Sequence, residues 1–197
     1  MLVERGIVLF FHLLGVITLF VAMGLIQQGG ARVRSSRTVE EMRLWLTLLR
    51  SASRLFPVGS LLLLVTGLYL TARMWSFGTP WVVIALVSVV VMGILGGGAA
   101  GRGLARIGAA AFGAPPGPVS ADLAQVARAP GLWIAATAAN GMALGVVWIM
   151  VRKSGWIESI VAVTVLGALG AVAGARMTRR RAAAPQVIGK KIGAVTE

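Results

Sequence analysis

The chain has 197 residues, 57% of them hydrophobic and 13% charged, with a net charge of +13 and no cysteine. So apolar a composition leaves little for a soluble domain, and the missing thiols exclude disulfides, thiolate metal sites and cysteine nucleophiles. The positive charge does not point to nucleic acid, because no basic folded domain is there to carry it.

Apolar runs occupy residues 6–26, 56–72, 81–101, 132–151 and 157–175. Crossing a hydrocarbon core of about 30 Å takes ~17–25 helical residues, so each run is long enough to span a bilayer. Lipid offers backbone polar groups no partner, which restricts spanning segments to helices and closed barrels. Barrel strands alternate apolar and polar residues. The stretch Leu61, Leu62, Leu63, Leu64, Val65 does not alternate, nor does Val82 to Leu86. The expected fold is therefore all-α, a five-span transmembrane bundle forming a single domain over residues 1–178.

The first run carries His12, the only histidine of the chain. After it, Thr38 and Glu41 make a capping box that opens a helix predicted to run to about Leu55. Arg43, Arg50 and Arg54 share one face of that helix; Trp45, Leu48, Leu49, Ala52 and Leu55 are available to an apolar one. Such a helix is expected to lie in the membrane interface with its arginines on lipid head groups. Pro57 then starts the second span, where its missing N–H costs little.

The third run contains Gly93, Gly97 and Gly101 at intervals of four, and the fourth and fifth contain Gly141/Gly145 and Gly170/Gly174. Helices in lipid associate by close backbone approach, so these glycines are expected to mark packing faces, within the chain or against another subunit. Between the third and fourth runs, Gly113 to Pro118 reads as a bend, followed by a short helix that Ser120 caps and that runs through Val126. Residues 179–197 form a basic tail with too little apolar content to fold alone.

Charge orients the bundle. Fifteen of nineteen basic residues fall in the first and third loops and the tail; only Arg5, Arg73, Arg152 and Lys153 lie on the other side. The positive-inside rule places the N-terminus outside and the C-terminus in the cytoplasm.

No Asp, Glu, Lys or Arg lies deep in any run. Proton-coupled carriers, pumps and voltage sensors usually depend on such residues, so these classes recede. There is no H-E-x-x-H, no acid beside His12 to orient it as a base, and no G-K-[ST] after a strand. No catalytic residue is assigned.

His12 lies ~9 Å below the outer boundary of its helix, with Gly15 one turn deeper leaving a notch beside the imidazole. Tyr69, Ser88 and Thr164 fall at a similar depth, ~7–10 Å, and are its expected polar surroundings. Two readings stand side by side. In one, His12 joins helices through a hydrogen bond to Tyr or Thr. In the other it is an axial ligand to haem b, or part of a copper site with methionine sulfur.

The opening Leu9-Phe10-Phe11-His12-Leu13-Leu14-Gly15, the arginine-rich helix running into Pro57, the stretch from Leu61 to Leu70, and Met150-Val151-Arg152-Lys153 resemble the bacterial membrane family labelled "domain of unknown function 2269". The chain departs from that pattern at Ser154, where the family has proline. The family is similar in turn to copper-resistance type D membrane proteins and haem-binding J-type protoporphyrinogen oxidases, which place a functional histidine in the first helix. The resemblance implies a bacterial inner-membrane location, with His12 at the matching position. The expected function is a non-catalytic helix bundle, or an accessory subunit whose partners are the lipid bilayer and other membrane subunits or a second copy. The alternative is a haem- or copper-binding redox protein.

Overall fold

α1 (Leu2–Ser35) is one unbroken helix of 34 residues, about 51 Å long at ~1.5 Å per residue. It therefore overruns a hydrocarbon core of about 30 Å. α2 (Val39–Ser53), α3 (Leu55–Met74) and α4 (Pro80–Gly93) follow; a π-helical turn, Ile94–Ala100, leads into α5 (Gly101–Gly113). α6 (Ala121–Ala127), α7 (Pro130–Arg152) and α8 (Trp156–Ala182) complete the order. The computed structural model describes residues 2–182, so most of the tail at 179–197 lies outside the described residues. Among the described residues every regular element is helical, apart from one isolated antiparallel bridge between Thr38 and Pro118. Five helical stretches are long and apolar enough to cross a membrane: Val3–Ser35, Val39–Met74, Pro80–Gly113, Ala121–Arg152 and Trp156–Thr178.

The chain divides into two units. The first holds residues up to Val83 together with Ala105–Ala127. Its frame is an antiparallel hairpin of α1 against α3 and α2. His12 meets Thr66, Gly15 meets Leu63, Leu19 meets Gly59, Gly29 meets Leu49, and Arg32 meets Trp45. Each step along α1 is answered by an equal step back along the other strand of the hairpin, and the register survives the junction at Arg54. Arg54 keeps helical angles, φ −69° and ψ −18°, so α2 feeds into α3 with little interruption.

The helix expected at the interface has a buried face. α2 buries Val39, Met42, Leu46, Leu49 and Ala52, while Leu48, expected on its apolar face, is 43% exposed. The buried stripe follows helical spacing and faces α1, where Gly29 leaves room: a Cβ there would lie 2.7 Å from Leu49 Cδ2. α2 thus packs along α1 and continues the α3 line.

Around that contact the first unit builds a small folded head at its arginine-rich end. Val33, Val39, Met42, Leu46, Leu49 and Ile107 are among the largest fully buried side chains, and Ala111, Leu123 and Ala127 join them. None of these residues lies in an expected span. Backbone hydrogen bonds clasp the head across the chain: Val39 N–H donates to Gly117 O (2.9 Å) and Val119 N–H to Arg37 O (3.0 Å). Gly117 N–H donates to Glu40 Oε1 (3.0 Å), and Gly117 adopts φ 128°, open to glycine at little cost. The caps behave nearly as predicted. Glu41 N–H donates to Thr38 Oγ1 (3.3 Å), while Glu41 Oε2 accepts from Arg37 N–H (3.1 Å), one residue earlier than a capping box requires. Ser120 Oγ accepts from Leu123 N–H (3.3 Å), and the helix it starts ends at Ala127.

The second unit comprises Ile84–Leu104 and the chain from Arg128 onward. Its centre is the α7–α8 hairpin. A side chain at Gly141 would strike the backbone of Leu166, one at Gly170 the backbone of Thr137, and one at Gly145 would lie 2.7 Å from Val163 Cα. Gly174 faces Thr137 and Ile134, and Gly167 faces Met142 Cγ at 2.8 Å. Four expected packing glycines thus meet across one seam. Lys153 closes α7 in the left-handed conformation, φ 52° and ψ 48°.

The third run behaves differently. A Cβ at Gly93 or Gly97 would meet nothing within 4 Å among the described residues, and one at Gly101 only the Gly96 carbonyl of its own helix. A π-helical turn over 94–100, with i→i+5 bonding, runs through this glycine-rich stretch.

Candidate functional site

His12 sits on the α1 face that packs against α3 and is 8% exposed, while its neighbours Phe11 and Leu13 point outward. Its Nδ1 lies 3.1 Å from Thr66 Oγ1. Thr66 in turn donates its hydroxyl hydrogen to Leu62 O at 2.6 Å. A hydroxyl has one hydrogen, so toward His12 the threonine oxygen accepts and Nδ1 carries the proton. That tautomer leaves the Nε2 lone pair uncommitted to Thr66. Gly67 supplies the floor: a Cβ there would lie 3.0 Å from His12 Cε1 and 3.4 Å from Nδ1. The ring is laid against α3 at the one position where no side chain intervenes.

The expected surroundings are distributed otherwise. The notch at Gly15 is filled by α3, for a Cβ there would lie 2.9 Å from Leu63 N and 3.2 Å from Gly59 O. Gly15 is thus a point where the α1 and α3 backbones approach closely. Tyr69 turns to the end of the hairpin and donates to the Glu4 carboxylate. Arg73 closes this group, donating from Nε to Tyr69 Oη (3.4 Å), with Nη2 3.8 Å from Glu4 and its guanidinium 5.6 Å from the Tyr69 ring centroid. Ser88 and Thr164 belong to the second unit; Ser88 is buried and donates to Ile84 O (2.6 Å), and Thr164 is exposed. No group of three or more His, Cys, Asp or Glu capable of holding a metal ion occurs among the described residues.

Thr66 and Gly67 were not anticipated. Gly59, Leu63, Thr66 and Gly67 recur at helical spacing on one face of α3, with the glycines eight positions apart. That stripe is a signal a search for glycines four apart passes over.

The arginines expected on head groups divide into three roles. Arg43 donates from Nε to Ala111 O (2.9 Å) and from Nη2 to Ala114 O (2.5 Å), satisfying carbonyls at the end of α5. A cation at a helix C-terminus meets both open carbonyls and the negative end of the dipole. Arg50 lies with its guanidinium 4.9 Å from the Phe112 ring centroid. Arg54 is exposed at the α2–α3 junction.

A matching clamp closes the second unit. Arg152, in the last turn of α7, pairs with Glu158 in the first turn of α8 at 3.4 Å. Like Glu4 and Arg73, each charge sits at the helix end whose dipole favours it. Comparison with protein-family models, curated proteins and solved structures gives no match.

Proposed function

We propose that this chain is a non-catalytic multi-pass bundle of the bacterial inner membrane, a structural or accessory subunit of a larger membrane assembly. In this reading the N-terminus is outside and the C-terminus cytoplasmic. The observation that carries it is the use made of the lone histidine: His12 joins α1 to α3 through Thr66, in a seat shaped by Gly67. Glu4, Tyr69 and Arg73 join the same two helices, and the glycine seam joins α7 to α8. Polar and small residues alike are committed to holding helices together. The bacterial address rests on the resemblance to the family of unknown function, and the orientation on the distribution of arginine.

A topology experiment tests the arrangement. Reporters fused at the C-terminus and at Gly117 are expected to read cytoplasm, and a tag at the N-terminus the outside. A tail found outside would sink the five-span orientation.

A second reading has one observation in its favour. With the proton on Nδ1 and a hydroxyl as acceptor, Nε2 has the form in which histidine ligates haem iron or copper. His12→Ala separates the two. Under the structural reading the purified wild type is colourless and metal-free, and the substitution costs about 0.6–2 kcal/mol, the range of interhelical hydrogen bonds in membranes. A Soret band or bound copper in the wild type, abolished by His12→Ala with the bundle still inserted, would establish the cofactor reading instead.

A further inference from the structure

Arg50 and Arg43 lean on the same ring, with guanidinium carbons 4.9 and 5.9 Å from the Phe112 centroid. Their hydrogen bonds differ. Arg43 is occupied by carbonyls of the α5 end, whereas the Arg50 side chain makes no hydrogen bond among the described residues. It is nonetheless held in place. Gly108 provides a shelf, since a Cβ there would lie 3.2 Å from Arg50 Nη2, and Phe112, 45% exposed, stacks on the guanidinium. A planar cation whose stem and face are fixed, and whose N–H groups are left to the surroundings, is prepared for a bidentate oxyanion.

Its height along the hairpin identifies the oxyanion. Leu49, beside Arg50, sits on Gly29, three residues past the end of the first apolar run at Ile26. Three residues are ~4.5 Å of helix, and the head-group layer is roughly 5–7 Å thick on each side of the hydrocarbon. Arg50 therefore stands at the level of lipid phosphates, on the side that carries most of the positive charge. We infer that Arg50, on its Gly108–Phe112 seat, is a binding site for the phosphate of an anionic phospholipid, while Arg43 beside it is structural.

The inference rests on the membrane-spanning reading, and its test keeps the two apart. Full-length wild type, Arg50→Gln and Gly108→Val are purified in mild detergent, and phosphatidylglycerol binding is titrated by native mass spectrometry. Both variants are expected to bind it roughly fivefold more weakly than wild type. Arg50→Gln should melt close to wild type, because it loses no hydrogen bond to the protein and only an exposed stacking contact with Phe112. Equal phosphatidylglycerol affinity in wild type and Arg50→Gln would overturn the site. Displacement of the lipid by inorganic phosphate at millimolar concentration would also overturn it, as the signature of a free-phosphate site. Failure of wild type to enter nanodiscs would overturn the membrane reading itself; a protein that inserts but binds the lipid independently of Arg50 overturns this site alone.

Discussion

Gly170→Leu is expected to separate α7 from α8 and leave little folded protein in detergent. Its new side chain would have to occupy space held by the Thr137 carbonyl, with Ala138 Cα 3.2 Å from the Cβ position alone. Overpacking a core that can shift costs about 1–3 kcal/mol. Here the obstacle is the backbone of a facing helix, which cannot rotate aside as a side chain does, so the loss should exceed that range. Gly141→Leu, directed at the backbone of Leu166, should behave alike. Gly97→Leu is the control: it introduces the same bulk where nothing lies within 4 Å, and wild-type melting is expected. Thermal denaturation followed by size exclusion reads all three. A Gly170→Leu protein that melts with the wild type would show that the seam is not formed in the membrane.

Leu49→Ala is expected to melt the head while the spans stay inserted. Leu49 is fully buried and fills the space left by Gly29, so truncation removes apolar contact and opens a cavity beside a helix with no side chain to fill it. Core Leu→Ala changes cost about 2–5 kcal/mol. A head of a few short helices has little stability to lose, so the effect should be large locally. Limited proteolysis at residues 36–38 and 114–119 should accelerate by an order of magnitude or more, while membrane association persists. Protection equal to wild type would place the head's stability elsewhere. The contrast with Gly170 is physical: the head is held by buried apolar side chains, the α7–α8 seam by close approach of two helix backbones.

The spans were legible because a bilayer imposes a length, and runs of that length are visible without any partner. Their ends were not. Residues 27–35 are polar enough to leave lipid, yet contain no proline, and α1 continues through them because α2 packs alongside. The head was hidden for a related reason. Residues 39–52, 105–111 and 121–127 each hold too few apolar positions to bury alone, and their core exists only once three separated segments meet.

At the site, His12 could be singled out as the lone histidine, but depth alone proposed Tyr69, Ser88 and Thr164 as its neighbours. Face and register decided instead, bringing Thr66 and Gly67 to the ring. The seam glycines at 141, 145, 170 and 174 were readable from spacing because both helices are regular. Gly93 and Gly97 have the same spacing but meet no other helix among the described residues, and spacing alone does not distinguish a face packed within the chain from one left for another subunit.

The hairpin contacts from Glu4–Tyr69 at one end to Arg32–Trp45 at the other imply an order of assembly. Every contact of that hairpin lies within the first 74 residues, and the α7–α8 seam lies within 134–174, so each can close as soon as its own segment has been synthesised. The clasp between Arg37–Glu40 and Gly117–Val119 must wait for a segment made much later. Contacts of long sequence separation carry the greater loop-closure cost and form last. The head therefore closes last: the hydrogen bonds from Val39 to Gly117 and from Val119 to Arg37 wait for residues 117–119 to be made.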